Sequence, residues 1–335
     1  MSERDDLLVS VANEIKTYRK DDLPEPTPEH VDRWLSQFTP AQQLPFLREF
    51  DHVIKRTFIT RRNVKDFLRK LVTNQKLVGD DPAAYWSSAN FLNIQQHGHS
   101  QQEMLALFSK CLADECGLDL DDCGEDGGDF IYLDDVLFSG NRIGNDLEPW
   151  IVDDAPQSAK VHVIVAAWHT LGEYFVRKRL KAAIAKSGKK ITIEYWRAFT
   201  VENQKAHKNS SEVLWPTVIP NVAEVQAYMD LPSKFPLEPR VPSEKTAWPF
   251  SSEAGRQVLE SEFLIAGAKI LAMSENPKQS IRPLGFSPFG VGFGSMIATY
   301  RNCPNNCPLA MWWGDPRATS GALHWYPLLQ RETYS

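Results

Sequence analysis

The feature that most restricts the fold is an alternation between residues 85 and 195, in which apolar runs of strand length are separated by turns and by stretches of helical periodicity. Strands are expected at residues 88–94, 130–134, 161–167 and 191–195, and helices at residues 101–115 and 171–185. Parallel neighbours need connections of this length, so the pattern predicts βαβ units and an α/β fold with a Rossmann-like parallel sheet. With 335 residues, 42% of them hydrophobic, the chain can bury such a core and carry further elements as well.

On the amino-terminal side the signals are helical. Thr27-Pro28 opens a helix with Val31, Trp34 and Leu35 at helical spacing, and Thr39-Pro40 opens another carrying Leu44, Phe46, Leu47 and Phe50. The same periodicity runs through residues 57–72. Beyond residue 200 prolines accumulate, from Pro216 to Pro242, as in a linker or wrapping arm. A helix is expected at residues 252–274, then a Gly/Phe-rich stretch at 284–294 and strand-like runs at 295–300 and 309–313. The domain division that follows is a helical unit at residues 1–80, an α/β core at 81–235, and a carboxyl-terminal α+β extension at 236–335 that packs on the core.

A net charge of −6 argues against a surface that holds nucleic acid by bulk attraction, although local basic patches at residues 55–62 and 177–190 are compatible with either solvated helix faces or a local contact. The five cysteines are sparse and odd in number, which fits a reducing cytoplasm better than a disulfide framework. Neither an export signal nor a membrane-spanning run is evident.

The chemistry is concentrated in FIYLDDVLFSGNRI, residues 130–143. An apolar strand delivers Asp134 and Asp135 to a short loop that opens a helix, which is how open α/β sheets build ligand sites. A loop formed by Val136, Leu137, Phe138, Ser139, Gly140, Asn141 and Arg142 offers backbone N–H groups and a helix N-terminus to a phosphate dianion, with Gly140 permitting close approach. Asp134 and Asp135 would accept hydrogen bonds from sugar hydroxyls and support a divalent cation, Mg2+.

This string resembles the 5-phosphoribosyl pyrophosphate (PRPP) signature of type I phosphoribosyltransferases, with Asp134, Asp135, Ser139 and Gly140 matching. Arg142 stands where that signature usually has a hydroxyl residue. Over residues 40–335 the chain further resembles a phosphoribosyltransferase-like family of bacterial conflict and antiphage defence systems. That resemblance rests on HGHSQQEML at 97–105, AAWHTLGEYF at 166–175, NCPNNCPLAMWW at 302–313 and HWYPLLQR at 324–331. It implies a phosphoribosyltransferase-type sheet, PRPP or a nucleotide as ligand, glycosyl transfer or cleavage, and defence partners such as a retron reverse transcriptase or an ATPase. A catalytically inert nucleotide-sensing or complex-forming subunit is the alternative it leaves open.

Ser100 and Gln101, after the first strand of the βαβ region, lie where the family would place its pyrophosphate loop. Ser100 with Glu103 also fits a helix capping box. His169, at the end of the third strand, is a candidate general base or, with Trp168, a base-stacking neighbour. His97 and His99 lack a third ligand and read as a turn pair. Cys303 and Cys307 read as a structural turn, and Trp312, Trp313 and Trp325 as core or interface.

Overall fold

The computed structural model describes residues 2–96, 100–274 and 278–331. Contacts gather the chain into two compact units, one formed by residues 1–60 together with 203–335, the other by residues 61–202. This grouping differs from the three consecutive segments expected. Residues 61–80 go with the α/β unit, and the carboxyl-terminal third shares a core with the amino-terminal helices.

The amino-terminal helices are α1 (Glu3–Ile15), α2 (Pro28–Leu35) and α3 (Gln43–Thr57). Thr27 caps α2 by accepting from the His30 N–H, with Pro28 in the first turn, as the sequence indicates. The periodicity through residues 57–72 is broken, because β1 (Phe58–Ile59) separates α3 from α4 (Arg61–Val72).

The second unit begins with α4, followed by α5 (Gln75–Val78) and α6 (Pro82–Ser88). Its sheet contains β2 (Asn90–Phe91), β3 (Phe130–Leu137), β4 (Ser158–His169), β5 (Lys190–Trp196) and β6 (Phe199–Val201). The order is β2-β3-β4-β5, all parallel, with β6 continuing alongside the far end of β4. The connections carry α7 (Ser100–Cys116), α8 (Asn141–Pro149) and α9 (Thr170–Ser187). Tyr132, Val161, Val163 and Val165 of the strands pack with Ile143, Leu147, Val176 and Leu180 of α8 and α9. The expected parallel α/β fold is therefore present, with β3 and β4 longer than their apolar runs suggested and β2 shorter.

The chain then returns to the first unit with α10 (Ala223–Met229), α11 (Glu253–Ala272), β7 (Ala298–Thr299) and α12 (Leu309–Trp312). Residues 309–313, expected as a strand, form the short helix α12 instead. Phe263 of α11 meets Trp34, Phe38, Phe46 and Phe50 in an aromatic core, and β7 pairs with β1. The proline-rich arm is tied down by Arg240, which reaches Glu253 and Glu260 of α11; Arg256 donates to Glu260 from the same helix. Cys303 and Cys307 are fully buried free thiols, and Trp325 is a core residue whose Nε1 donates to the Ala310 carbonyl. No helix is long and apolar enough to cross a membrane among the described residues.

Candidate functional site

At the carboxyl edge of the second unit's sheet, α7, α8 and α9 begin after β2, β3 and β4. In parallel α/β sheets this edge is where ligands bind, because helix N-termini present free N–H groups and positive dipole ends there. Asp134 and Asp135 lie within β3, three and two residues before its end. As neighbours on a strand their carboxylates diverge. Asp134 is buried, with 2% of its surface exposed, and Asp135 is half-buried. Asp134 Oδ1 accepts from the Asp135 N–H at 2.9 Å, and Asp135 Oδ1 accepts from the Val136 N–H at 2.7 Å.

Burial, followed by the negative charge of Asp135, pushes the Asp134 carboxyl up to about 7. A hydrogen bond from Ser100 and the charge of Arg142 work in the opposite direction. Asp134 thus touches the first residue of α7 and feels the second residue of α8.

The approach to α7 is closed by a reciprocal pair of glutamines. Gln101 Oε1 accepts from the Ile94 and Gln95 N–H groups at 2.7 and 2.9 Å, and Gln95 Oε1 accepts from the Gln101 N–H at 2.9 Å. Gln95 Nε2 also donates to Ser100 Oγ at 2.8 Å. Gln101 is fully buried, and among the described residues its Nε2 has no hydrogen-bond partner. His97 and His99 lie outside the described residues. On the other side of the loop, Asp146 of α8 accepts from the Tyr132 hydroxyl at 2.7 Å and from the Gln96 N–H at 3.4 Å.

The loop after β3 is clamped by the start of α9. Gly140, with φ +77°, is the N-cap position of α8, and Ser139 Oγ accepts from the Asn141 N–H at 3.4 Å. A Cβ on Gly140 would lie 2.7 Å from the Gly172 carbonyl oxygen, and one on Gly172 would lie 1.9 Å from the Phe138 carbonyl oxygen. Glycine at both positions is therefore explained by close contact between the loop and α9. His169 is fully buried, donates Nδ1–H to the Leu137 carbonyl at 3.2 Å and stacks on Phe138 with ring centroids 5.0 Å apart. Burial lowers its pKa to about 4, so the imidazole is neutral. This geometry makes His169 a positioning residue for the loop. The ring of Trp168 is covered by the guanidinium of Arg197 at 4.1 Å, with that of Arg177 at 5.9 Å.

Sequence reasoning named Asp134, Asp135, Ser139, Gly140, Arg142, Ser100 and Gln101, and the fold gathers them at one sheet edge. It missed Gln95, Tyr132, Asp146 and Gly172. Tyr132 was findable from strand period, two residues before Asp134; Gly172 was findable from its place just inside the helix that follows β4. Among the described residues no cluster of three or more His, Cys, Asp or Glu side chains is placed to hold a metal ion. Of the two acids, the half-buried Asp135 is the one a divalent cation could reach, bringing its other oxygen ligands with it, because Asp134 is buried against Ser100 and the Asp135 N–H.

A parallel sheet whose acid-bearing strand runs into a Ser-Gly loop and a helix N-terminus defines a phosphoribosyltransferase-like α/β protein. The model of the PRTase-CE family matches residues 31–331, and the chain belongs to that family. No curated protein and no solved structure gives a significant match.

Proposed function

We propose that the carboxyl edge of this sheet binds PRPP or a nucleotide-derived sugar phosphate and transfers or cleaves its glycosyl group. The observation that carries the reading is that two helices, beginning at Ser100 and at Asn141, start at the sheet edge where Asp134 accepts from Ser100. Two such sites at one edge suit a ligand with two phosphate groups on either side of a sugar. The N–H groups at residues 140–142 and the Arg142 guanidinium would hold the 5-phosphate, and Ser100 at the start of α7 would face the pyrophosphate. Asp135, the more accessible acid, would accept from the sugar hydroxyls. Asp134 would hold Ser100 at the sheet edge. Mg2+, when bound, would neutralise charge building on the departing pyrophosphate. Catalysis of this kind is positioning and electrostatic stabilisation of an oxocarbenium-like sugar.

The setting we propose is bacterial antiphage defence, in which the depleted nucleotide or modified acceptor is the toxic outcome and a retron reverse transcriptase or an ATPase is a partner. One observation favours a second reading, a nucleotide sensor without turnover: Asp134 is buried and held by Ser100 and the Asp135 N–H, hence withdrawn from the sugar. Calorimetric titration of PRPP with Mg2+, followed by assay of pyrophosphate release, separates the two. Binding with release, the glycosyl group passing to water or to an added acceptor, supports transfer or cleavage; binding without release in the presence of candidate acceptors supports sensing; and no binding rejects PRPP as the ligand of this edge.

A further inference from the structure

Helix α9 carries a feature that the phosphoribosyl reading does not use. Its sequence, TLGEYFVRKRLKAAIAKS, holds five basic residues against one acid, in a chain whose net charge is −6. Its buried residues, Gly172, Val176, Leu180 and Ala183, form one side. At 100° per residue, Tyr174, Phe175, Lys178, Lys181, Ala182, Ala185 and Lys186 fall within an arc of about 140° on the other side. All seven are exposed, Tyr174 by 52% and Phe175 by 44%. The two rings lie edge to face with centroids 5.5 Å apart.

The basic residues outside this arc are engaged: Arg177 pairs with Glu173 and covers the Tyr195 ring, and Arg179 reaches Glu148 and Asn145. Among the described residues, Lys178, Lys181 and Lys186 have no salt-bridge partner. The stripe extends about 18 Å from Tyr174 to Lys186 at 1.5 Å per residue. Its aromatic end is close to the candidate site, since Gly172 of the same turn touches Phe138.

We infer that this face of α9 docks single-stranded nucleic acid, with Tyr174 and Phe175 stacking on bases and the three lysines contacting successive phosphates. Exposed aromatic rings are also found where proteins meet. Protein interface cores, however, are depleted in lysine. Unpaired lysines following aromatics along one helix face match a strand that offers a phosphate for every base, and binding of this kind tolerates sequence. The exposed alanines leave the lysines accessible. This inference stands apart from the PRPP reading, because it concerns a surface next to the pocket.

The test is fluorescence anisotropy of labelled 20-nucleotide single-stranded DNA and RNA with the full chain. Wild type is compared with Y174A/F175A, with K178E/K181E/K186E, and with K16E/K20E, a charge reversal on exposed lysines elsewhere. Unchanged thermal melts establish that the variants fold. The expected result is salt-dependent binding by wild type and K16E/K20E, and at least tenfold weaker binding by Y174A/F175A. Binding by K178E/K181E/K186E should be lost, or should show a slope against log salt reduced by about 2. Absence of wild-type binding at low salt would overturn the inference, as would equal losses in K16E/K20E and the α9 variants. Calorimetry with PRPP on the same samples reports separately on the pocket.

Discussion

Asp134 provides a stability measurement whose sign and size follow from its surroundings. Its carboxyl is buried and sits beside Asp135, with a pKa of about 7 in the fold against 3.8 in the unfolded chain. For a carboxyl raised in this way, the contribution to stability is fully present below about pH 3.8 and is lost as pH rises through about 7. The full difference is roughly 4 kcal/mol, and more than half of it is lost between pH 5 and pH 8. Asp134→Asn keeps an oxygen to accept from Ser100 and the Asp135 N–H but removes the titration. In urea unfolding without divalent cations, the variant should gain on the order of 2 to 3 kcal/mol relative to wild type between pH 5 and pH 8. Titrating groups outside the Asp134–Asp135 pair cancel in that comparison. A difference that stays constant across this range would show that Asp134 ionises normally and that its buried setting is misread.

Gly172→Ala should lower stability by roughly 3 kcal/mol and weaken ligand binding, because its Cβ would lie 1.9 Å from the Phe138 carbonyl oxygen. Gly188→Ala is the control, with open space around its Cβ and φ +67°, and should cost about 1 kcal/mol in the same urea assay while leaving binding intact. Glu260→Gln leaves Arg240 and Arg256 without their shared buried carboxylate and should destabilise the chain by about 3 kcal/mol or more, measured by thermal or urea melts. His169→Phe keeps a ring against Phe138 but removes the donor to the Leu137 carbonyl. It should reduce PRPP affinity without changing the pH dependence of that affinity between pH 5 and 8, since the native imidazole is already neutral there.

The α/β unit was legible because its signals are local. Apolar runs mark β3 and β4, helical periodicity marks α7 and α9, and the Asp-Asp and Ser-Gly pairs mark the loop between strand and helix. The ends of β3 were not legible, because Val136 and Leu137 read equally as loop or strand until Val136 pairs with Ala167 and Leu137 with Trp168 on β4. The grouping of residues 1–60 with 203–335 was hidden for a similar reason. Nothing near Phe263 in the sequence indicates that it packs on Trp34 and Phe46, more than two hundred residues away. Residues 309–313 illustrate the remaining ambiguity: a short apolar run fits strand or helix, and here it forms a turn of helix whose Ala310 carbonyl accepts from Trp34 and Trp325. In the site, Ser100 was named for its place before a helix, whereas Asp146 and Gln95 act through partners that only the fold brings near.

The central claim is tested most directly by titrating PRPP with Mg2+ into wild type and the Asp135→Asn and Asp134→Asn variants by calorimetry, with pyrophosphate release measured on the same samples. The account predicts binding and release by wild type, and loss of release in Asp135→Asn, whose carboxylate would accept from the sugar hydroxyls, with the fold intact. Equal binding and release by wild type and both variants would contradict it.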